Sequence, residues 1–161
     1  ENEHVVSAWQ VLSNEVNCGG EVVVADWRGD WIGVGVAQIL AQEGRRVRLV
    51  TSGNAPGNSM PASVRDQIVG ELSRLNVEII PNARLFGVDE DTAYFQHTMT
   101  EEAIIIEGVE TLVLALSHRS QDSLFTELGD LGMDIHVIGD ALSPRTAEEA
   151  VLEGLKVATS I

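Results

Sequence analysis

Cysteine is almost missing from this chain of 161 residues: Cys18 is the only one. An internal disulfide is therefore impossible, and neither a thiolate zinc centre nor an iron–sulfur cluster can be assembled from these residues. A reducing cytoplasm is the expected setting. Basic residues are scarce as well. Lys and Arg together number 10 against 25 Asp and Glu, for a formal charge of −15. Nucleic acid and anionic membrane surfaces both call for a basic face, so neither is an expected partner. No apolar run approaches the ~20 residues of a membrane span, and the acidic start "ENEH" has none of the character of a signal peptide. What is present is the balance of a globular protein, 44% hydrophobic and 22% charged. The length suits one domain with a real core, or one domain plus a piece of another.

Along the chain, "VVSAWQVLSNE" (5–15) places Val5, Ala8, Trp9 and Leu12 at helical spacing, which predicts a short amphipathic helix ended by "NCGG". "EVVVAD" (21–26) is a β-branched run suited to a strand buried on both faces of a parallel sheet. "IGVGVAQILAQE" (32–43) predicts a helix stopped by Gly44, and "RRVRLVTSG" (45–53) a second strand. Together they make a β–turn–α–β unit of the length a right-handed crossover needs. A loop rich in Gly, Pro, Asn and Ser (52–61) leads to a helix over 62–75 and a strand over 77–81.

The period then changes. "RLFGVDE", "TAYFQHT" and "EAIIIEG" predict three short antiparallel strands joined by tight turns. "TLVLAL" (111–116) returns to a buried strand, and a short helix follows near 122–128. A buried strand "IHVIGD" (135–140) and a helix over 146–159, capped by Ser143 or Thr146, close the chain. The expected fold class is α/β: a Rossmann-like parallel sheet flanked by helices, with a small antiparallel meander as a third layer. The expected divisions are an N-terminal helix and linker (1–20), an NAD(P)-binding-like Rossmann domain (21–128) and a closing strand and helix (133–161).

The chemistry of such a fold sits at the turn after its first strand. A working G-x-G-x-x-G turn uses glycine for the bend, for backbone approach to a pyrophosphate, and for packing of helix on strand. Here Asp26 ends the strand, and Gly29, Gly33 and Gly35 remain at the wrong spacing. Asp26 and Asp30 oppose an anion, with Arg28 available to offset one of them. Trp27 and Trp31 are bulky enough for one of them to cover the cleft. The expected acid after the second strand, which would hold a ribose hydroxyl, is replaced by Thr51 and Ser52. Arg45 and Arg46 precede that strand and fit either a 2′-phosphate pocket or an exposed turn. The expectation is a Rossmann turn that has kept its shape and lost its ligand, a working variant being the alternative. The histidines, His97 and His118 among them, have no metal-ligand spacing, and no catalytic set can be assembled.

Two passages carry a resemblance to a known family. "VVVADWRGDWIGVGVAQILAQEGRRVRLVT" (22–51) resembles the altered glycine turn of the amine-demethylating members of the trimethylamine dehydrogenase and 2,4-dienoyl-CoA reductase family of NADH:flavin oxidoreductases. "HVIGDALSPRTAEEAVLEGLKVATSI" (136–161) is similar to that family's closing segment, and "VETLVLALSHRSQDSLF" (109–125) to the stretch that returns the chain to its FAD-like unit.

The resemblance implies a C-terminal region: an NAD(P)-domain-like unit plus the end of a FAD-domain-like unit. It implies an FMN- and [4Fe–4S]-bearing TIM barrel elsewhere in the parent enzyme, with ADP, FAD or NAD(P) as possible ligands of this region. It also places Gly139 and Asp140 beside the ribityl and pyrophosphate part of a flavin, or else leaves them as a structural turn. Expected partners are the barrel and FAD-like regions, an electron-transfer flavoprotein, and a second copy of the chain through apolar surface left exposed. The functional expectation is a scaffold or acceptor-docking domain of an amine dehydrogenase. The alternatives are a working NAD(P)H-binding domain of a dienoyl-CoA-reductase-like enzyme and a stand-alone interaction module.

Overall fold

The computed structural model describes residues 3–129, 132 and 134–160. Residues 1, 2 and 161 lie outside them, as does residue 133, where the sequence reading opens the closing segment. By contact the chain divides into two units, Glu1–Leu116 and Ser117–Ile161.

In the first unit the order is β1 (Val5–Ser7), α1 (Ala8–Leu12), β2 (Glu21–Asp26), α2 (Trp31–Gln42), β3 (Arg46–Thr51), α3 (Ala62–Arg74) and β4 (Glu78–Ile80). An antiparallel meander follows, β5 (Ala83–Asp89), β6 (Thr92–His97) and β7 (Ala103–Ile106), and then β8 (Thr111–Ala115). The parallel sheet runs β1-β8-β2-β3-β4, so the β-branched run of β2 is central and buried on both faces. From β2 to β4 both crossovers step the same way, and the right-handed rule puts α2 and α3 on one side. They meet there, with Gln38 Nε2 donating to Glu71 at 2.7 Å.

Alternation along the strands builds two cores, because successive side chains point to opposite faces. Val22, Val24, Leu49 and Val113 face the helices and pack with Val36, Leu40 and Leu72. Val23, Ala25, Val50 and Leu112 face the meander and pack with Phe95, Ala93 and Ile106. Burial of each such side chain is worth about 1.5–3 kcal/mol. The result is the three-layer α/β arrangement expected from the sequence: helices, parallel sheet and meander.

The N-terminal stretch differs from expectation. Val5–Ser7 pair in parallel with Leu112–Leu114, and the helix begins only at Ala8. The two β-branched valines fill the open edge of β8. Ser7 then starts the helix through a capping box, its hydroxyl accepting from Gln10 N at 3.2 Å while Gln10 Oε1 accepts from Ser7 N at 2.8 Å.

The second unit contains α4 (Ser123–Leu128), a 3-10 turn at Gly139–Ala141, and α5 (Ala147–Ala158), capped by Thr146 with Glu149 completing the box. The buried strand expected over 135–140 does not form. His136 and Ile138 are exposed, and the described residues of this unit hold no strand to pair with them. A strand buried on both faces needs neighbours for its N–H and C=O groups.

The seating of α2 on the end of β2 depends on Gly33. A Cβ there would lie 2.5 Å from Cγ and 2.7 Å from Cβ of Asp26, whereas one at Gly35 would meet nothing within 4 Å. Gly33→Ala is expected to lower stability by about 2 kcal/mol, since the buried Asp26 side chain must move. Gly35→Ala is expected to raise it by about 0.5–1 kcal/mol through helix propensity. Denaturant unfolding of the two variants checks this, and equal effects would show that α2 is not seated on Asp26.

Candidate functional site

β2 ends at Asp26, and the chain must turn sharply to enter α2. Gly29 makes the bend at φ +62°, pressed against the backbone of Asn58. Asp26 Oδ1 accepts hydrogen bonds from Arg28 N at 3.1 Å and Gly29 N at 3.0 Å. Asp30 caps α2: its Oδ1 accepts from Ile32 N at 3.0 Å, while its Oδ2 pairs with Arg28 Nε at 2.5 Å. The amides that a phosphate would use at such a turn are thus bound by the protein's own carboxylates.

The carbonyl groups of the turn are held too. The oxygens of Asp26, Trp27, Arg28 and Gly29 accept, respectively, from Ser52 N (3.0 Å), Ser52 Oγ (2.8 Å), Ser59 Oγ (2.9 Å) and Ser59 N (2.9 Å). Loop 52–61 is therefore stitched over the turn. Nothing local in its sequence points to this, because small polar residues are what any loop contains.

Asp26 is 3% exposed, and its Oδ2 lies against Gly33 with no hydrogen-bond partner. Thr51 sits at the paired position of β3, 1% exposed, and its Oγ1 also lacks a partner. Burial pushes the Asp26 carboxyl up to about 6. The Gly29 amide works against that, the Asp30 charge adds to it, and the Arg28 amide and guanidinium pull it down.

The other residues singled out from the sequence divide clearly. Ser52 joins the turn, and Gly35 lies on α2 away from it. Arg45 donates to the carbonyls of Cys18 and Gly19 and pairs with Glu43, and Arg46 pairs with Glu21. Both arginines fasten β-strand starts and face no phosphate pocket. Trp27 and Trp31 are 49% and 56% exposed, and loop 52–61 is bonded to the turn.

In the second unit Gly139 has φ +61°, and its N–H donates to Glu153 Oε2 at 2.7 Å. Glu153 also pairs with Arg145. Asp140 is exposed and accepts from Arg145 N at 3.4 Å. Glu153 was not anticipated, although its place on α5 fourteen residues on was readable. Among the described residues no group of three or more His, Cys, Asp or Glu could hold a metal ion, and no helix is long and apolar enough to cross a membrane.

Residues 29–104 match the family described as pyridine nucleotide-disulphide oxidoreductase. The chain is similar in structure to histamine dehydrogenase from Rhizobium sp. 4-9 at a TM-score of 0.86, with 23% identity, covering 98% of this chain and 26% of that one. The chain has the fold of the pyridine nucleotide-disulphide oxidoreductases. It is similar to a metal reductase of Desulforamulus reducens, 21% identical over 94% of this chain and 26% of the relative. It is also similar to the N,N-dimethylglycine/sarcosine dehydrogenase of Chromohalobacter salexigens, 23% identical over 98% of this chain and 27% of the relative. The chain spans about a quarter of the length of these curated relatives. These likenesses bear out the resemblance read from the sequence.

The buried carboxyl gives the fold a pH signature. Because folding raises the pKa of Asp26 from 3.8 to about 6, its protonation favours the folded state. That contribution is complete below about pH 4 and lost as pH rises through about 6, a change of about 2–3 kcal/mol. Asp26→Asn keeps an oxygen for the Arg28 and Gly29 amides and removes the charge. It is expected to raise Tm by several degrees near pH 7.5, with the advantage gone by about pH 4. A difference in Tm that does not change with pH would show that the buried charge is not its cause.

Proposed function

We propose that this chain is the C-terminal nucleotide-binding-like region of an FMN- and [4Fe–4S]-containing oxidoreductase acting on a methylated amine or a related substrate. In this reading the dinucleotide turn is degenerate, and the region serves as a scaffold and a dock for an electron-transfer flavoprotein. Two features support the parent. Its likenesses include a dehydrogenase of N,N-dimethylglycine and sarcosine and one of histamine, and each is about four times its length. The flavin and the cluster belong to the barrel of the parent, since Cys18 alone cannot hold a cluster.

The observation that carries the degenerate turn is the capture of the Arg28, Gly29 and Ile32 amides by Asp26 and Asp30. A pyrophosphate there would meet two carboxylates in place of free donors, with roughly 1 kcal/mol of repulsion for each partly exposed contact. Arg28, within the turn itself, is already paired with Asp30. Thr51 cannot replace the missing ribose acid, being buried, and Ser52 directs its hydroxyl to Trp27 O. In the second unit Glu153 holds the Gly139 amide in the same manner. The apolar side chains of Leu142, Val151, Leu152 and Leu155 stand exposed there. They suit cover by the FAD-like region of the parent, and self-association of the isolated chain.

Near pH 7.5, NADH, NADPH and ADP are expected to bind no tighter than about millimolar, near −4 kcal/mol. Isothermal calorimetry on the chain measures this, and micromolar affinity for any of the three would overturn the degenerate turn.

A further inference from the structure

An antiparallel sheet with one face on a core usually turns polar side chains to the water. The meander does not. Its inward residues, Phe95 and Ile106 among them, pack on the parallel sheet. On the other face Tyr94 stands opposite Ile105 and Gly87, and Gln96 opposite Ala103 and Arg84. The register slips between Leu85 and Gly87, and Phe86, on that bulge, is 80% exposed. Tyr94 and Ile105 are exposed as well. A Cβ at Gly87 would meet nothing within 4 Å, so space stays open on that side of Tyr94. Phe86, Tyr94, Phe95, Gln96, Glu101 and Ala103 line a groove of about 390 Å³ here.

The charge around this groove has one sign. From residue 83 to residue 107 the chain carries Asp89, Glu90, Asp91, Glu101, Glu102 and Glu107, with Arg84 alone among Lys and Arg. None of these acids joins an ion pair among the described residues. Arg84 instead donates to Gln96 Oε1 at 3.1 Å, and Gln96 Nε2 donates to the carbonyl of Glu101 at 3.2 Å. The second bond fixes the backbone that carries Glu101 at the groove.

We propose that this groove docks an arginine side chain from the basic surface of a partner protein, its guanidinium stacked on Phe86 and Tyr94 and paired with Glu101. A guanidinium is planar and weakly hydrated, so it meets an aromatic face and a carboxylate at once. Basic residues around it would then answer the unpaired acids of the meander. A second copy of the chain fits poorly, because each copy carries a formal charge of −15 and brings the same acids to the contact. Strand addition at β5 fits poorly too, because a bulge interrupts that edge. The inference stands apart from the parent enzyme proposed above: the groove belongs to the first unit, and its test involves neither a nucleotide nor a flavin.

The test is amide NMR of the chain with two probes, Nα-acetyl-arginine amide and its neutral isostere Nα-acetyl-citrulline amide. The arginine probe is expected to shift the Tyr94, Gln96 and Glu101 amides with an affinity of about millimolar, and the citrulline probe to bind at least about tenfold more weakly. Glu101→Gln is expected to weaken arginine binding about threefold to tenfold, and Phe86→Ser about tenfold. Both side chains are exposed, so neither change disturbs the core. The comparison of probes needs no variant at all. Citrulline binding as well as arginine overturns the basic partner. Arginine shifts spread over the acidic surface and unmoved by Phe86→Ser overturn the groove, as does the absence of shifts at its amides. Light scattering that finds a dimer lost in Phe86→Ser assigns the face to a second copy and overturns the proposal.

Discussion

The hydrogen bonds of Asp26 to the backbone of its own turn hold together the end of β2, the start of α2 and the loop after β3. The side chain fixes Arg28 N and Gly29 N, and the carbonyl fixes Ser52 N. Gly33 allows α2 to lie close enough for the carboxyl to be shut off from water. From there the serines of loop 52–61 reach the carbonyls of Trp27, Arg28 and Gly29. In a nucleotide-binding turn the ligand completes that set of bonds. Here the polypeptide completes it, and the geometry of a Rossmann turn survives without its customary residues.

That substitution has an energetic character of its own. A ligand anion is exchangeable, while a covalently attached one is present at very high local concentration and costs little entropy to hold. Its cost is desolvation, visible in the unpartnered Oδ2 and in a carboxyl pushed up to about 6. Arg28 does not neutralise it directly, because its guanidinium is directed to Asp30. The turn therefore combines strong amide bonds with a buried charge that has only a partial counterpart, a balance that a proton can tip.

Most of the layer order was legible because it is written in short-range patterns. The β-branched runs, the crossover lengths and the three meander strands each fall where the period of the sequence changes. The failures have a common origin in non-local partners. Val5–Ser7 is too short to declare itself a strand, and becomes one only because β8 has an open edge. Residues 135–140 look like a strand, yet the described part of their unit offers none to pair with. At the candidate site, Asp26 and Asp30 were readable as obstacles to an anion, but not as acceptors for particular amides. That role depends on Gly29 at positive φ and on loop 52–61 arriving from thirty residues away. The bulk of the tryptophans in the sequence says nothing of their direction, and each keeps about half its surface exposed.

The acidity of the chain takes on a structural meaning in this light. With 25 acids and 10 Lys and Arg, ion pairs can engage only a minority of the carboxylates. Several carboxylates, Asp30 and Glu153 with an ion pair besides, accept from backbone N–H groups at turns and helix starts. Glu110 holds Gly20 N, Asp30 holds Ile32 N, Glu149 holds Thr146 N and Glu153 holds Gly139 N. Glu149 shows what such bonds do to a carboxyl. The Thr146 hydroxyl, before the neighbouring amides, holds its carboxyl below the usual range. A depressed carboxyl contributes stability above its unfolded pKa and loses it as pH falls. Asp26 has the opposite sign, favouring the folded state as pH falls through about 6. The buried Asp26 carboxyl and the exposed Glu149 carboxyl thus respond to falling pH with opposite sign.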